Sequence, residues 1–583
     1  MIRAASPLLA LALLALPAAA ATRPAVETTH AMVVTTNARA SEVGLRVLEA
    51  GGNAVDAAVA IGYALAVVDP CCGNIGGGGF MTLRLSDGRE IFLDFRETAP
   101  AAASRDMYLD DAGNVLKDES LTGWRASGVP GTVAGLDHAL ARFGTMPRER
   151  VMAPAIALAR DGFTLARPDT DILERGTARL SRDPEAARIF LAPDGRPLRP
   201  GDRLAQPDLA ATLATIAASG RDAFYRGEIA AKVEAAMAAR RGTLTAADFA
   251  AYRVNETLPI SCTYRGHRLI SAPPPSSGGI TVCLILNILE GFDPKAMGWH
   301  SAAFVRTWVE ALRHAFLDRN TLLGDPAFVT VPVERLLSAD HAAALRDRIR
   351  ADGRVASKDL APGVAPHEKP ETTHYSVVDA AGNAVAVTYT INGLFGAAVV
   401  APGTGFLLND EMDDFTVKPG VANLFGLVQG EANAIRPGKR PLSSMAPTIV
   451  TKDGRLFAVL GSPGGSRIVS IVAETIVNLV DFAMTPQEAV DAPRVHHQWL
   501  PDEVYAEPFA LSPDTAAILR AEGYVVKEQS PWGAAELIVV APPETASGPA
   551  SSGNDSASSG RVLSGRLYGA NDDRRPAGAA IGY

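Results

Sequence analysis

A threonine-rich segment in the second half of the chain has residue types and spacing suited to nucleophilic chemistry. Residues 371–396 read ETTHYSVVDAAGNAVAVTYTINGLFG. Two strand-like runs, His374–Val378 and Ala384–Ile391, flank a turn-forming DAAGN sequence, which predicts a β-hairpin. The centre of that turn lies midway between Thr372 and Thr390. Symmetric pairing would therefore place the two hydroxyls opposite each other, with their Cβ atoms about 5 Å apart.

Thr372 could act as a nucleophile if its own backbone amine served as the base and a second hydroxyl supported it. Because Thr372 is internal, the chain would first have to be cut between Glu371 and Thr372. Attack of Thr372 Oγ on the Glu371 carbonyl, followed by hydrolysis of the ester, would make this cut. The freed amine would have a pKa of about 8, close enough to working pH to relay the hydroxyl proton.

The hairpin alone is weak support for catalysis, because threonine suits pleated surfaces in general. The four letters ETTH occur a second time at residues 27–30, without the turn or the second Thr-bearing strand. Three histidines, His374, His496 and His497, are not expected to be bases or metal ligands. An amine base is available, and their spacing is not that of a metal site. The complete pattern of residues 371–396 is therefore what carries the prediction.

That pattern resembles the signature of the γ-glutamyltransferases (γ-glutamyltranspeptidases), and the resemblance covers roughly residues 30–583. Similar stretches follow in family order: Gly51–Ala58 (GGNAVDAA), Gly76–Phe80 (GGGGF), Asp94–Glu97 (DFRE), Pro273–Gly279 (PPPSSGG), Asn409–Phe415 (NDEMDDF), Pro441–Met445 (PLSSM) and Gly461–Ser466 (GSPGGS). The resemblance implies an α/β fold with four αββα layers, that of the N-terminal nucleophile hydrolases. It also implies that one precursor is cut into a large and a small subunit, which form one intertwined heterodimeric globule.

The reaction implied by the resemblance is the cleavage of γ-glutamyl amides such as glutathione through a γ-glutamyl–threonine ester. The group would then pass to water or to an amino acid or peptide amine, with no metal or cofactor. The resemblance assigns catalysis to Thr372, Thr390, Gly464 and Gly465, and binding of the glutamyl head to Arg96, Asn392, Glu411, Asp414, Ser443 and Ser444. Glycines let backbone N–H groups approach an oxyanion closely.

The glutamyl head carries an α-carboxylate and an α-ammonium, so its recognition needs groups of both signs. Arg96 would bind the carboxylate in a fork, helped by the two serine hydroxyls. The carboxamide and the two carboxylates would accept hydrogen bonds from the ammonium. If locally extended, Asp413 and Asp414 would point in opposite directions, and the resemblance selects Asp414 as the ligand-binding residue.

The segment Pro419–Gly430 (PGVANLFGLVQG) resembles the lid loop of some family members, with Phe425 where certain of them carry a tyrosine. A phenyl ring can shield an ester from water but cannot form a hydrogen bond across a pocket. We therefore expect Phe425 to belong to a lid that covers the site without fastening.

The chain has 583 residues, of which 47% are hydrophobic and 20% charged, so it can bury a large core. A net charge of −9 and the lack of a basic stripe with interleaved aromatics argue against nucleic-acid binding. Residues 1–21 combine one Arg, a short apolar run and an Ala-rich end, which predicts a signal peptide and a secreted or periplasmic protein without a membrane span. Residues 542–560, rich in Ser, Gly, Ala and Pro, predict a flexible surface insertion.

The cut would separate a helix-rich large subunit, residues 22–371, from a strand-richer catalytic small subunit, residues 372–583. Helical periodicity predicts helices at Ser41–Ala50, Ala54–Val67, Val133–Arg142, Asp208–Ala218, Ile229–Ala239, Ala302–Leu317, Ser470–Phe482 and Pro486–Asp491. Besides the hairpin, strands are predicted at Met81–Leu85, Glu90–Asp94, Thr448–Thr451, Leu456–Leu460, Ala535–Val540 and Arg561–Tyr568.

The four cysteines, Cys71, Cys72, Cys262 and Cys283, allow three disulfide pairings, and nothing in the sequence chooses among them. Adjacent cysteines lack the usual ligand spacing, so Cys71 and Cys72 are interpreted as structural.

Two alternative functions remain open. A glutaryl or cephalosporin acylase would share the fold and the nucleophile, but its substrates lack the α-ammonium that Asn392, Glu411 and Asp414 would bind. A secreted, unprocessed binding protein would keep the pocket without catalysis and would remain a single chain.

Overall fold

The computed structural model describes residues 22–352, 354–360, 372–541 and 565–583. The predicted signal peptide, Glu371 of the predicted cleavage site and the predicted insertion 542–560 lie outside the described residues.

The strands vary from two to seven residues in length. In chain order they are β1 (Val26–Thr28), β2 (Met32–Thr35), β3 (Gly78–Arg84), β4 (Glu90–Phe95), β5 (Phe163–Thr164), β6 (Arg203–Leu204), β7 (Asn255–Thr257), β8 (Ile260–Tyr264), β9 (His267–Ser271), β10 (Thr373–Val378), β11 (Ala384–Thr390), β12 (Thr448–Lys452), β13 (Arg455–Gly461), β14 (Val495–His496), β15 (Val504–Ala506), β16 (Val526–Glu528), β17 (Glu536–Val540), β18 (Leu567–Asn571) and β19 (Ala579–Gly582).

The helices lie mostly before residue 361. They are α1 (Ala38–Glu49), α2 (Ala54–Val68), α3 (Thr132–Phe143), α4 (Arg148–Asp161), α5 (Arg167–Leu180), α6 (Pro184–Phe190), α7 (Pro207–Ser219), α8 (Arg221–Tyr225), α9 (Glu228–Ala239), α10 (Ala246–Ala251), α11 (Gly278–Leu289), α12 (Pro294–Met297), α13 (Ala302–Leu322), α14 (Val333–Leu337), α15 (Ala339–Asp352), α16 (Ser357–Leu360), α17 (Ile468–Val480), α18 (Pro486–Asp491) and α19 (Pro513–Ala521). Short 3₁₀ turns occur at Glu411–Asp414, Glu431–Asn433 and Gly465–Arg467.

Two seven-stranded antiparallel sheets form the centre of the molecule, in the orders β19-β2-β10-β11-β3-β4-β7 and β1-β18-β17-β13-β12-β9-β8. The sheets pack face to face, with β10 against β13 and β17. An apolar layer that includes Val34, Val378, Ile449 and Ile538 fills the space between them. Helices α1, α2 and α3 cover the first sheet, and α11 and α17 cover the second. The predicted α/β fold with αββα layers is therefore confirmed.

The predicted hairpin is present as β10 and β11, paired from Thr373↔Tyr389 to Val378↔Ala384. Asp379 holds its turn, because one carboxylate oxygen accepts from the backbone N–H groups of Ala381 and Asn383. The other oxygen accepts from the N–H of Ala54, at the start of α2, at 2.8 Å. The turn is thereby fixed to the helix layer, and the far end of the hairpin is held in place.

The other predicted elements are present with ends that differ by a few residues, except the strand predicted at Arg561–Tyr568. Residues 561–564 of that prediction lie outside the described residues. In the described part the strand covers Leu567–Asn571, because its pairing with β17 runs from Val540↔Leu567 to Glu536↔Asn571. The cysteine pairing left open by the sequence is Cys71–Cys72 and Cys262–Cys283. Among the described residues, no helix is both long enough and apolar enough to span a membrane.

Candidate active site

Most of the predicted site residues surround one cavity. Those on its wall are Arg96, Thr372, Thr390, Asn392, Glu411, Asp414, Phe425, Ser443, Ser444 and Gly465, joined by Arg319, Leu427, Met445 and Ile468. Among the predicted site residues that the structure describes, Gly464 is the one that is not on the wall, although it directly precedes Gly465. Segments far apart in the chain thus meet at one end of the hairpin.

The two threonines lie at the open end of that hairpin. Thr372 directly precedes β10, and continuing the register beyond Thr373↔Tyr389 places it opposite Thr390. Both are buried, with exposures of 4% and 3%. Thr390 Oγ1 accepts a hydrogen bond of 2.8 Å from the backbone N–H of Asn392. This bond holds the Thr390 oxygen in position at the strand end.

Asn392 adopts a left-handed backbone conformation, with φ of 73°. Its side-chain nitrogen donates to the Asp410 carbonyl at 3.0 Å, an orientation that leaves the side-chain oxygen as the acceptor. Arg179 of α5 is within 3.4 Å of the Asp410 carboxylate and donates to the carbonyl of Leu394 at 2.9 Å. The loop after β11 is thus held by α5, a helix of the first half of the chain.

Arg96 lies at the centre of a buried ionic cluster just after β4. Its guanidinium is paired with Glu411 and, at 2.5 Å, with Asp414 Oδ2. Glu97 Oε2 is 3.6 Å from Arg96 Nη1. Arg96 Nε also donates to the Pro441 carbonyl at 3.2 Å, which ties the cluster to the segment bearing the two serines.

The cluster holds several buried carboxyl groups, and burial makes each of them harder to ionise. Burial raises the pKa of Glu411 and Asp414, and the charge of Arg96 opposes the rise. Burial also raises the pKa of Glu97 to about 7, again against the effect of Arg96. Glu97 therefore resists ionisation more than an ordinary glutamate does.

The two serines sit on a strand-like segment beside the loop Pro273–Gly279. The Ser443 backbone N–H donates to the Pro275 carbonyl at 3.1 Å, and the Ser443 carbonyl accepts from the Ser277 hydroxyl at 2.5 Å. Ser444 Oγ accepts from Arg319 Nη2 at 2.9 Å. The PPPSSGG motif, for which the sequence suggested no role, thus supports the serine segment.

Arg319 is the charged residue of the cavity wall that the sequence reasoning missed. It lies near the end of α13 and is 1% exposed. A signal was available, because Arg319 follows Leu312 and Phe316 at the helical spacing of a buried face. An arginine on such a face requires hydrogen-bond partners or a counter-charge.

The predicted glycine turn connects β13 to α17. Gly464 and Gly465 have φ values of 142° and 56°, so both occupy conformations that favour glycine. A Cβ added to Gly465 would lie 2.5 Å from Phe425 Cδ1, so the phenyl ring rests directly on this turn. The turn leads into a helical segment that begins at Gly465 and continues as α17. Backbone N–H groups at the start of a helix can stabilise a developing negative charge.

The structure corrects one feature of the lid hypothesis. The Phe425 ring is buried, and the Phe425 carbonyl accepts a hydrogen bond of 3.1 Å from Gln498 Nε2. Gln498 Oε1 in turn accepts from the Ser466 hydroxyl at 2.6 Å. The loop is therefore fastened through its backbone, although the phenyl side chain itself offers no hydrogen bond. Sequence reasoning considered only the side chain and so could not find this contact.

Several candidate residues lie away from the cavity wall. Asp413 accepts hydrogen bonds from Ser120 Oγ and from the Leu424 N–H, both at 2.7 Å. His374 contacts Thr388 and Ser376 hydroxyls, and burial lowers its pKa to about 3. Burial lowers the pKa of His496 and His497 as well, the latter to about 4. At neutral pH the three imidazoles are uncharged packing groups.

Comparison with known proteins gives consistent results. A profile of the family described as gamma-glutamyltranspeptidase matches residues 40–579. A glutathione hydrolase proenzyme of Pseudomonas sp. (strain A14) is 52% identical over 533 residues, which is 91% of each chain.

Solved structures share the fold. The cephalosporin acylase from Bacillus halodurans has a TM-score of 0.81 at 27% identity, over 96% of this chain and 97% of that one. The γ-glutamyltranspeptidase of Helicobacter pylori has a TM-score of 0.55 at 39% identity, over 59% of this chain and 96% of that one.

Proposed function

The chain belongs to the γ-glutamyltranspeptidase family, and from this premise we propose that it is a self-processed γ-glutamyltransferase with glutathione hydrolase activity. The supporting observation is the cavity that places Thr372 and Thr390 beside a buried set of charges of both signs. Its substrates are γ-glutamyl compounds such as glutathione, and its acceptors are water and amino acids or peptides. The signal peptide predicted at residues 1–21 makes it a secreted or periplasmic protein.

Maturation begins when Thr372 Oγ attacks the carbonyl carbon of Glu371 and the peptide nitrogen leaves as the amine of Thr372. Water hydrolyses the ester, which frees the Thr372 hydroxyl and ends the large subunit, residues 22–371, at Glu371. The small subunit, residues 372–583, then begins with a nucleophile and its own base. Thr390 is proposed to orient that nucleophile.

In turnover, Thr372 Oγ attacks the γ-amide carbonyl, and its proton passes through the Thr372 amine to the leaving nitrogen. Gly464 and Gly465 are proposed to stabilise the oxyanion with backbone N–H groups, a contribution typically worth about 10²–10³ in rate. The γ-glutamyl ester that remains is attacked by water or by an acceptor amine. Because Phe425 packs on the Gly465 turn, its ring is placed to exclude water from this ester.

Binding of the glutamyl head exchanges ion pairs that already exist in the protein. The α-carboxylate accepts hydrogen bonds from the Arg96 guanidinium and from the hydroxyls of Ser443 and Ser444. The α-ammonium donates hydrogen bonds to the carboxylates of Glu411 and Asp414 and to the neutral side-chain oxygen of Asn392. A zwitterionic ligand preserves the charge balance of this buried cluster, whereas a ligand with a single charge would upset it.

Replacing Thr372 tests the proposal directly. Thr372→Ala should give one band on a denaturing gel and no release of p-nitroaniline from γ-glutamyl-p-nitroanilide. Thr28→Ala, in the second copy of ETTH, is the matched control and should behave like the parent, with two bands and normal turnover. An intact chain that turns over the substrate, or an active Thr372→Ala, would refute the mechanism. Mass spectrometry of both bands gives the cleavage site and the mature N-terminus.

The likeness to a cephalosporin acylase keeps glutaryl substrates as a second candidate. These substrates lack the α-ammonium, which would leave Glu411 and Asp414 without a ligand partner. The parent should therefore prefer γ-glutamyl-p-nitroanilide to glutaryl-p-nitroanilide, and the reverse preference would favour the acylase function. A single inactive chain would instead favour the unprocessed binding protein.

A further inference from the structure

Arg319 brings a second guanidinium to the cavity, and its surroundings differ from those of Arg96. Its three hydrogen bonds within the described residues go to the neutral oxygens of Ser277, Asn320 and Ser444, at 2.9, 2.8 and 2.9 Å. Arg96, in contrast, is paired with the carboxylates of Glu411 and Asp414. The positive charge of Arg96 is thus directly compensated, whereas that of Arg319 is held by neutral groups.

A buried charge held only by neutral groups is costly, because it has lost water without gaining an opposite charge. Burial lowers the pKa of Arg319 to about 10, with Asp414 raising it and Arg96 lowering it, so the group is still cationic at neutral pH. The guanidinium has five N–H donors, of which these three contacts need only three. An anion bound in the cavity would use the remaining donors and supply the counter-charge.

We propose that Arg319 is a binding residue for the α-carboxylate of the γ-glutamyl substrate, acting together with Arg96. This inference rests on the proposed function, because it takes the ligand to be a γ-glutamyl compound. Arg96 alone would have to hold the ligand carboxylate in addition to its pairs with Glu411 and Asp414, with Glu97 at 3.6 Å. With Arg319, a second guanidinium shares the ligand carboxylate, so Arg96 can keep its pairs with Glu411 and Asp414.

Arg319 also directs the Ser444 hydroxyl. Because Arg319 Nη2 donates to Ser444 Oγ, that oxygen acts as an acceptor toward the helix, and its own hydrogen is left to be donated elsewhere. Arg319 Nε likewise donates to Ser277 Oγ, whose hydrogen is given to the Ser443 carbonyl. The arginine therefore sets the donor direction of Ser444, which suits a carboxylate ligand in the cavity that both residues line.

The test compares γ-glutamyl-p-nitroanilide with its analogue in which a neutral carboxamide replaces the α-carboxylate. For Arg319→Gln, kcat/KM for the carboxylate donor should fall by about 10- to 100-fold, the loss typical of one charge-assisted hydrogen bond. The fall should be mainly a rise in KM. The carboxamide donor should lose little, so the preference of the parent for the carboxylate should shrink.

The matched control is Arg306→Gln on the same helix, where Arg306 is partly exposed and paired with Glu522 at 3.0 Å. It should leave both donors and their ratio unchanged. Arg319→Lys, which keeps the charge but not the fork, should show a smaller loss confined to the carboxylate donor. It serves as the second variant if Arg319→Gln does not accumulate as two chains.

Equal losses on the two donors, in either variant, would overturn the inference, because a purely structural arginine would affect both alike. An unchanged preference in an active variant would overturn it as well. If the parent itself failed to release p-nitroaniline from γ-glutamyl-p-nitroanilide, the proposed function would fail instead. The two failures are therefore distinguishable.

Discussion

The contact between Gly465 and Phe425 gives a sharp test of the glycine turn, through Gly465→Ala. The alanine would have to keep the left-handed backbone conformation of Gly465, with φ of 56°. Its Cβ would also lie 2.5 and 2.7 Å from two carbon atoms of the Phe425 ring, closer than real Cβ contacts allow. The substitution therefore combines backbone strain with a steric clash at the cavity wall.

The two costs can be separated with Gly454→Ala, which is a matched control in the β12–β13 turn. Gly454 has φ of 74°, and a Cβ added there would have nothing within 4 Å. Left-handed strain should destabilise either variant by about 1–2 kcal/mol. The clash should cost Gly465→Ala about 1–3 kcal/mol more. Measured by denaturant unfolding, the free energy of unfolding should be lower for Gly454→Ala than for the parent, and lowest for Gly465→Ala.

Activity should separate the variants further. Gly465→Ala should lower kcat on γ-glutamyl-p-nitroanilide by about 10²–10³-fold if the oxyanion donors are displaced. Gly454→Ala should retain parental kcat. Because Phe425→Ala removes the opposing ring, the double variant should be less destabilised than the sum of the single changes by about 1–3 kcal/mol.

Two results would refute the reasoning. One is equal stability and equal kcat for Gly465→Ala and Gly454→Ala, which would mean that the ring does not press on the turn. The other is full additivity of Gly465→Ala and Phe425→Ala, which would mean that the two positions do not interact.

Three further predictions concern other parts of the molecule. Burial lowers the pKa of His374 from 6.5 to about 3, so between these values the unfolded chain binds a proton that the folded chain does not. Stability should fall with decreasing pH in this window, by at most about 1.4 kcal/mol per pH unit from this group, and His374→Asn should show a shallower fall in urea unfolding. Phe425→Tyr adds a hydroxyl beside the ester and should change the ratio of hydrolysis to transfer to an amino-acid acceptor; an unchanged ratio would contradict the proposed role of the ring. Replacing both Cys262 and Cys283 by serine removes their disulfide and should lower the free energy of unfolding by about 3 kcal/mol, the value for a loop of this length. An unchanged unfolding midpoint in guanidinium would contradict this.

Local patterns predicted the hairpin well, because alternation and turn residues act over a few positions. The DAAGN turn uses the Asp379 side chain to bond its own backbone, a device that depends only on nearby sequence. Helix α2 was equally readable, since its small apolar residues follow a capping box of Asn53 and Asp56. Strand ends were less accurate, as β18 shows, because pairing partners decide them.

The site itself could not be derived from periodicity. The contact between Arg319 and Ser444 joins residues 125 positions apart, and that between Phe425 and Gln498 joins residues 73 apart. The spacing of Arg319 with Leu312 and Phe316 marks it as buried, but the partner in neither contact can be found from the local sequence. The motifs of the family resemblance supplied the predicted cavity residues. The sequence assigned no role to Gln498, which bonds the Phe425 carbonyl, or to four residues of the wall: Arg319, Leu427, Met445 and Ile468.

The mixed membership of the two sheets has a consequence for the life of the processed protein. Strands β2, β3, β4 and β7 precede the proposed cut and lie in one sheet with β10, β11 and β19, which follow it. An uncut polypeptide finds these neighbours within a single molecule. Once severed and denatured, the two fragments must meet by diffusion, each exposing bare strand edges that invite aggregation. Heat inactivation should then be practically irreversible at low concentration, so the durability of the mature enzyme depends on how slowly it opens.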